Sequence, residues 1–511
     1  MSRRHPYISK FPGLILIGIL TLYADSSGER FDPLVFHTGI QLASLQRISM
    51  SNPAWNLLDE STRSVKYSIQ SRSSAGDFRR RLDPAGIRDY YWTAEGSRQL
   101  GAKSLFSGSF SYRFQNARDK MWAHNRQPYS GLPFVLADST TGDWELNGLM
   151  WNVNISRELI RDRIYGGLAV FYNVDEEYQS IFPRPKANHR DMLINAGLGA
   201  VTARNSRLGL MIKYYNIQES LHTSKYSLDQ EKTPIFYKLR GLDMPLIFRG
   251  QTSEERIYSI EGISLVVDGT LQRIDPVTID FSASYGASKA DNVDGGAYPI
   301  DQGSWNDEYA DYALQMKFLP WHPHDIILFS RGFRRSHRAT HPDRNLEIYA
   351  EERREISAGL TVHLRTKRGW RLSPTFEMRS DYIKRVDSFN GILDYFPGTM
   401  GKYSLALDMP DRKWIDVTLG FGFDRYLARD SEIYIPQNVG FYYQTLTAAD
   451  ELYYSSDYSA LRASNMISFG KKRRYSLALE YLRLIPERTD DFDFREQLRV
   501  SFIVEDPVSP K

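Results

Sequence analysis

Across residues 61–504, apolar and polar side chains alternate in runs of roughly ten to fourteen residues. Phe106, Gly108, Phe110, Tyr112 and Phe114 form one series. Ile356, Ala358, Leu360, Val362 and Leu364 form another, and Ile415, Val417, Leu419, Phe421 and Phe423 a third. A period of two places every second side chain on one face of a strand. Strands of this length suit a hydrocarbon layer crossed at a tilt of about 45°. Very tight turns alternate with long polar stretches, near residues 115–143, 219–255, 287–305, 386–399 and 428–458. Short turns at one end and long loops at the other are the pattern of an outer-membrane barrel. The spacing predicts an all-β, antiparallel, up-and-down transmembrane barrel of about 18 strands, or 14 to 16 if weak runs merge.

The alternation also assigns faces. Trp370, Leu372, Phe376 and Met378 are expected toward lipid, and Arg371, Ser373, Thr375, Glu377 and Arg379 toward the lumen. By the same rule Arg113, Lys213, Asp280, Lys317, Asp416 and Asp424 point inward, giving a lining with both signs of charge. Such a lining suits water and polar solutes, because an unpaired charge is costly to bury in a dry core. Aromatic residues make up 13% of the chain, enough to furnish girdles at both membrane boundaries. The last alternating run, Leu498, Val500, Phe502 and Val504, resembles the closing strand that barrel assembly machinery recognises, here followed by a tail of residues 505–511.

Composition narrows the remaining classes. Mean hydropathy is −0.46, which excludes a helical membrane protein but is ordinary for alternating strands with polar loops. The formal net charge is +3 with interspersed signs, so nothing points to nucleic acid. Cysteine is absent, which removes disulfides, thiolate metal sites and a lipidated cysteine. Residues 1–24 read as a secretory signal: Arg3, Arg4 and Lys10 precede an apolar run from Leu14 to Leu22 that is too short to span a bilayer. Residues 25–60 do not alternate and are expected in the periplasm or tucked into the barrel mouth, with a short helix at 37–47.

The run from Ser61 to about Glu219 carries Phe134-Val-Leu-Ala-Asp138, Gly142-Asp143-Trp144, a strand ending Glu177-Tyr178, and Pro183-Arg-Pro185 leading to Gly197-Leu-Gly199. In these residues the chain resembles an uncharacterised family of outer-membrane barrels, known as a domain of unknown function and often encoded beside TonB-dependent receptors. The resemblance implies a barrel in the outer membrane of a Gram-negative bacterium, in contact with its lipid and lipopolysaccharide, with a TonB-dependent receptor as a partner class. It implies no activity and no site. Asn52, Pro53 and Ala54, just before the first strand, are similar to the Asn-Pro-Ala of hydrophobic-substrate transport barrels, whose N-terminal segment forms a hatch. An ordinary turn explains the same three residues, since Pro initiates turns.

No catalytic signature is present: no phosphate-cradling loop, no H-E-x-x-H and no G-x-S-x-G elbow. No cofactor is implied. His322, His324 and Asp325 have metal-binding side chains but fall in an expected turn. Asp291, Asp294, Asp301, Asp307 and Glu308 form an acidic stretch without the spacing of a calcium loop. Arg331, Arg334, Arg335 and Arg338 are the densest basic patch, suited to an anionic lipid or solute, or to pairing with Glu351, Glu352 and Glu355 on the next strand. The readings in order are a porin-like channel for small solutes, a non-conducting interaction module, and a membrane-embedded hydrolase.

Overall fold

The computed structural model describes residues 52–58 and 64–507, apart from 127, 131–132, 203–205, 225–232, 234, 250–252, 275–276, 296–297, 322–323, 344–345, 410–414, 471–472 and 488–492. The signal-like segment, the expected helix at 37–47 and His322 lie outside the described residues. The strands are β1 Ser64–Gly76, β2 Gly86–Gln99, β3 Ser104–Lys120, β4 Leu136–Ala137, β5 Gly142–Ile160, β6 Ile164–Gln179 and β7 Lys186–Val201. They continue as β8 Arg207–Ser224, β9 Ile235–Lys238, β10 Leu246–Arg249, β11 Ser253–Ile274, β12 Val277–Asp294, β13 Ile300–Trp321, β14 His324–Thr340 and β15 Glu347–Arg365. The rest are β16 Arg371–Asp387, β17 Ile392–Met409, β18 Ile415–Ala428, β19 Glu432–Tyr434, β20 Asp457–Phe469, β21 Arg474–Glu487 and β22 Arg495–Pro507.

All but β4, β9, β10 and β19 belong to one antiparallel barrel of 18 strands. β1 pairs with β22 from Ser64↔Pro507 to Gly76↔Arg495, so no edge remains open. The apolar face of each strand looks outward. On β5, Leu149, Trp151, Val153 and Ile155 are exposed, while Asn154 and Ser156 on the opposite face are buried. The same belt continues through Leu208, Leu210 and Ile212, through Ile263, Leu265 and Val267, and through Leu498, Val500 and Phe502. A continuous apolar surface of this extent needs hydrocarbon as its solvent. The chain is an outer-membrane β-barrel.

The strands run farther than the alternation indicates. Residues 287–305 and 386–399, expected as loops, are mostly wall: the β12–β13 ladder continues to Asp294↔Ile300, and the β16–β17 ladder to Asp387↔Ile392. Above the apolar belt the outer face of these strands meets water, and the inner face meets a mixture of buried polar groups and apolar cap residues. The apolar–polar period therefore disappears while the backbone pairing continues.

Polar side chains of the inner face pair across strands. Asp89 on β2 is fully buried and bonds both Arg72 of β1 and Arg113 of β3. Arg256 of β11 holds Asp294 of β12, which also takes Lys238 of β9 at 2.8 Å. Pairing is what makes so many buried charges tolerable in a low-dielectric wall.

At the outer end, loop residues pack into the mouth. Phe134, Leu136 and Phe236 bury against the wall residues Tyr258, Trp305 and Tyr349. Trp122, Tyr129, Val135, Leu239, Tyr442 and Leu446 form a second cluster. Tyr453 and Tyr454 of helix α1 (Ala448–Ser455) pack on Phe396, Met400 and Tyr426 in a third. Strands β4, β9 and β10 form a small separate sheet inside this cap.

Candidate functional site

Three features occupy the barrel: a turn seated on the inner wall, a charged chamber, and the cap. The turn is a single 3₁₀ turn, Pro53–Trp55. Pro suits the first position of a helix because its missing N–H needs no partner there. The Asn52 side-chain oxygen accepts the Ala54 N–H at 3.1 Å. Its amide nitrogen donates to the Leu198 carbonyl at 3.1 Å, the Leu210 carbonyl at 3.3 Å and Asp268 Oδ1 at 3.2 Å. The Trp55 indole N–H donates to the other Asp268 oxygen.

The wall beneath is built for close approach. A Cβ at Gly167 of β6 would stand 2.3 Å from Pro53, one at Gly197 of β7 2.0 Å from Asn52, and one at Gly199 2.3 Å from the Trp55 ring. Gly209 of β8 completes the recess, where a Cβ would lie 2.6 Å from the Asn52 amide. Gly197 and Gly199 carry the family resemblance, and Asn52, Pro53 and Ala54 the hatch likeness. The structure brings the two groups into contact. Asp268, Trp55, Gly167 and Gly209 were not singled out in the sequence. The available signal was a lone inward carboxylate within the apolar run of β11.

The inward charges divide into groups. Glu377 accepts from Arg331 at 3.1 Å and lies 3.9 Å from Lys402, while Arg379 reaches Asp381 at 2.8 Å and Glu355 at 3.4 Å. Asp424 pairs with Arg462 and also faces Lys402, so these residues form one network over β14–β20. Arg113 belongs to the separate Asp89 group. Nearer the inner rim, Lys317 pairs with Asp325 at 3.0 Å, Arg371 with Asp408 at 2.5 Å and Asp416 with Arg474 at 2.8 Å. Asp280 accepts from the Thr270 hydroxyl at 2.6 Å, and Lys213 faces Asp311 and Asp268. Inward-facing Phe333 and Met466 each retain 37% exposure, so side chains leave space in this part of the lumen.

The basic patch splits by face. Arg331 and Arg335 turn inward to Glu377 and Asp307, and Arg334 and Arg338 turn outward. Of the pairings expected with the next strand, Arg334–Glu352 alone forms among the described residues, because alternation sends Arg331 and Arg335 to carboxylates on other strands. The acidic stretch is likewise divided: Asp291 pairs with Lys289, Asp294 with Arg256, and Asp307 with Arg335. His324 accepts the Arg365 N–H at 3.1 Å. Among the described residues no group of three His, Asp or Glu is placed to hold a metal.

The cap is tied down by carboxylates. Asp243 accepts the N–H groups of Gly440 at 2.7 Å and Tyr443 at 3.0 Å. Asp450 accepts the Arg81 N–H at 2.8 Å and the Tyr129 hydroxyl at 2.9 Å. A cavity of ≈ 70 Å³ between cap and wall, lined among others by Tyr349, Arg385 and Leu446, has room for a few waters. Burial pushes the Glu451 carboxyl up to about 7. Asp394 adds to the rise, against the hydrogen bond from Tyr443 and the charge of Arg385. A folded value above the ordinary 4.5 means stability fully present below 4.5 and lost as pH rises through about 7. Hydrogen exchange in α1, corrected for intrinsic rate, is therefore expected to be slower near about pH 5 than near about pH 8. Glu451→Gln should remove most of the difference. A pH-independent profile in the unaltered chain would contradict this assignment.

A closed antiparallel barrel with an outward apolar belt, paired inner charges and a folded outer cap defines an outer-membrane β-barrel protein. The family model described as "Family of unknown function (DUF6850)" matches residues 53–502, and the chain belongs to that family. No curated protein sequence matches it. Among solved structures it is similar to the outer membrane transporter YddB from Escherichia coli, at 8% identity over 87% of this chain and 80% of that one, TM-score 0.42. It is similar also to the ferric yersiniabactin uptake receptor FyuA from Yersinia pestis, at 10% identity over 86% and 80%, TM-score 0.42. A third is the siderophore receptor PiuA from Acinetobacter baumannii, at 8% identity over 86% and 81%, TM-score 0.38. At such identity and overlap these likenesses carry no cargo or partner over to this chain.

Proposed function

We propose that this barrel passes small polar solutes across the outer membrane, and that the segment ending in the Asn52–Trp55 turn gates the lumen from its inner side. The observation that carries the reading is the turn itself: Asn52 and Trp55 converge on Asp268 over a floor of four glycines. A polar latch on a preformed recess is the geometry of a part that docks and leaves, and the inner charges that keep partial exposure, such as Arg331, Arg371 and Asp416, suit water rather than a packed core. Residues 25–60 would then act as one plug-like unit ahead of the wall, and residues 505–511 as an extension of the closing strand. Lipopolysaccharide and the assembly machinery are the partners that any such barrel meets. A TonB-dependent receptor is the partner class that the family resemblance adds.

The packed cap supports a second reading, a barrel that conducts little and serves as a docking partner. Planar-bilayer recording separates the two. The intact barrel should conduct small ions weakly, and deleting residues 25–60 should raise conductance several-fold. A folded barrel silent in both forms would favour the docking reading.

The latch has its own test, helped by the absence of native cysteine. Ala54 is fully buried, so Ala54→Cys should react slowly with a thiol reagent in the otherwise unaltered barrel. Adding Gly199→Leu, which drives a side chain into Trp55, should make labelling much faster and raise conductance. Unchanged labelling would mean that the turn does not depend on the glycine recess.

A further inference from the structure

The geometry points to a binding site for the phosphorylated headgroup of an outer-leaflet lipid on the outward wall of β14–β16, held by Arg334 and Arg354. This inference concerns the outside of the barrel and does not depend on whether the lumen conducts.

The outward face of this wall is apolar up to a sharp level. Tyr312 on β13, Leu328 on β14, Ile356 and Leu360 on β15, and Phe376 and Met378 on β16 are all exposed. Gly332 pairs with Ile356 at the top of this belt, and the next outward pair in the same ladder is Arg334↔Arg354. Two guanidinium groups therefore stand directly opposite each other where hydrocarbon gives way to headgroups. Tyr382 of β16 lies beside Arg354 in register, an amphipathic ring suited to that boundary. Arg338 follows higher on β14, and Lys384 on β16 lies opposite Glu352.

The local carboxylates do not neutralise this set. Glu352 accepts from Arg334 Nε at 2.9 Å and from the Tyr382 hydroxyl at 2.9 Å. Arg338 lies 4.0 Å from Glu347, and Glu308 on β13 stands opposite Ser336. Arg354 and Lys384 are exposed and make no ion pair among the described residues. The side chains of Arg334 and Arg338 remain 65% and 69% exposed. Like charges directly opposite on paired strands repel, and an anion between them removes that repulsion. Phosphate presents several oxygens to the planar fork of arginine, which binds it in a bidentate way.

A second feature lies below. A shallow groove of ≈ 540 Å³ on the same outer wall is lined by Leu360, Phe376, Tyr403, Leu405, Phe421 and Phe423. Leu360 follows Arg354 by six residues on β15, about 20 Å along the strand and about 14 Å in depth at a 45° tilt. Acyl chains attached to a headgroup at Arg334 and Arg354 reach that depth. The groove is why the occupant is a lipid rather than free phosphate.

The test uses the full-length barrel in phosphatidylcholine vesicles containing either phosphorylated lipid A or the same glycolipid with its phosphates removed. Glycolipid retained per barrel after detergent extraction is counted by native mass spectrometry. The unaltered barrel should retain the phosphorylated form. The Arg334→Ala/Arg354→Ala variant should retain several-fold less, and both proteins should hold the dephosphorylated form equally poorly. Arg425→Ala, an outward arginine elsewhere on the wall that pairs with Glu487, should retain as much as the unaltered barrel. Heat-modifiable migration checks that each variant is folded, and Arg354→Gln offers a milder change. Equal retention by the unaltered barrel and a folded Arg334/Arg354 variant would overturn the site. Equal retention of the two glycolipids would overturn the role of phosphate. Complete displacement of the glycolipid by inorganic phosphate alone would overturn the lipid assignment.

Discussion

Replacing Asp89 by alanine is expected to lower the unfolding free energy of the barrel by about 3–5 kcal/mol, the range for removing one partner of a buried ion pair. Asp89 is fully buried, and Arg72 and Arg113 on the flanking strands are 3% and 5% exposed. Deleting the carboxylate removes from a low-dielectric wall the one charge that the guanidinium groups of β1 and β3 share. Urea unfolding in lipid vesicles, followed by tryptophan fluorescence, measures the change. Asp89→Asn should be milder, since the amide oxygen still accepts a hydrogen bond. A shift below about 1 kcal/mol, typical of exposed pairs, would show that water reaches this site in the folded barrel.

Leu419→Arg is the second large effect, at roughly 2–4 kcal/mol for a cation near the bilayer midplane. On β18 the outward series runs Ile415, Val417, Leu419, Phe421 and Phe423, so Leu419 is its centre. Thr418 points the other way and donates to Asp408 at 2.8 Å. An arginine at Thr418 would meet that carboxylate and should be tolerated. The pair is compared by folding yield into vesicles and by heat-modifiable migration. Equal losses at the two positions would refute the register.

Much of the wall was legible because a membrane strand has two different solvents. Trp370, Leu372, Phe376 and Met378 alternate with Arg371, Glu377 and Arg379, and only one assignment of faces keeps charge out of hydrocarbon. The same rule became silent above the belt. There Lys289 and Asp291 look outward while Asn292 and Asp294 look inward, so no period distinguishes a tall ladder from a loop. The cap was illegible for a related reason. Helix α1 buries Tyr453 and Tyr454 against residues from β17, β18 and β20, and no local pattern in Ala448–Ser455 names those partners.

The candidate site shows the same division. Asn52, Pro53 and Ala54 stood out as a short motif, and Gly197 and Gly199 as part of the stretch that carries the family resemblance. Their contact depends on closure of the barrel, which brings β6, β7, β8 and β11 under a turn more than a hundred residues away in the chain. Asp268 is informative only once Asn52 and Trp55 are seen to meet at it. By itself the sequence determined the fold class, the faces of the strands and the membrane, because period and solvent are local physics. The partner of each inward charge, the height of the wall, the cap and the seat of the latch were decided by the tertiary structure, because they depend on which strands closure places side by side.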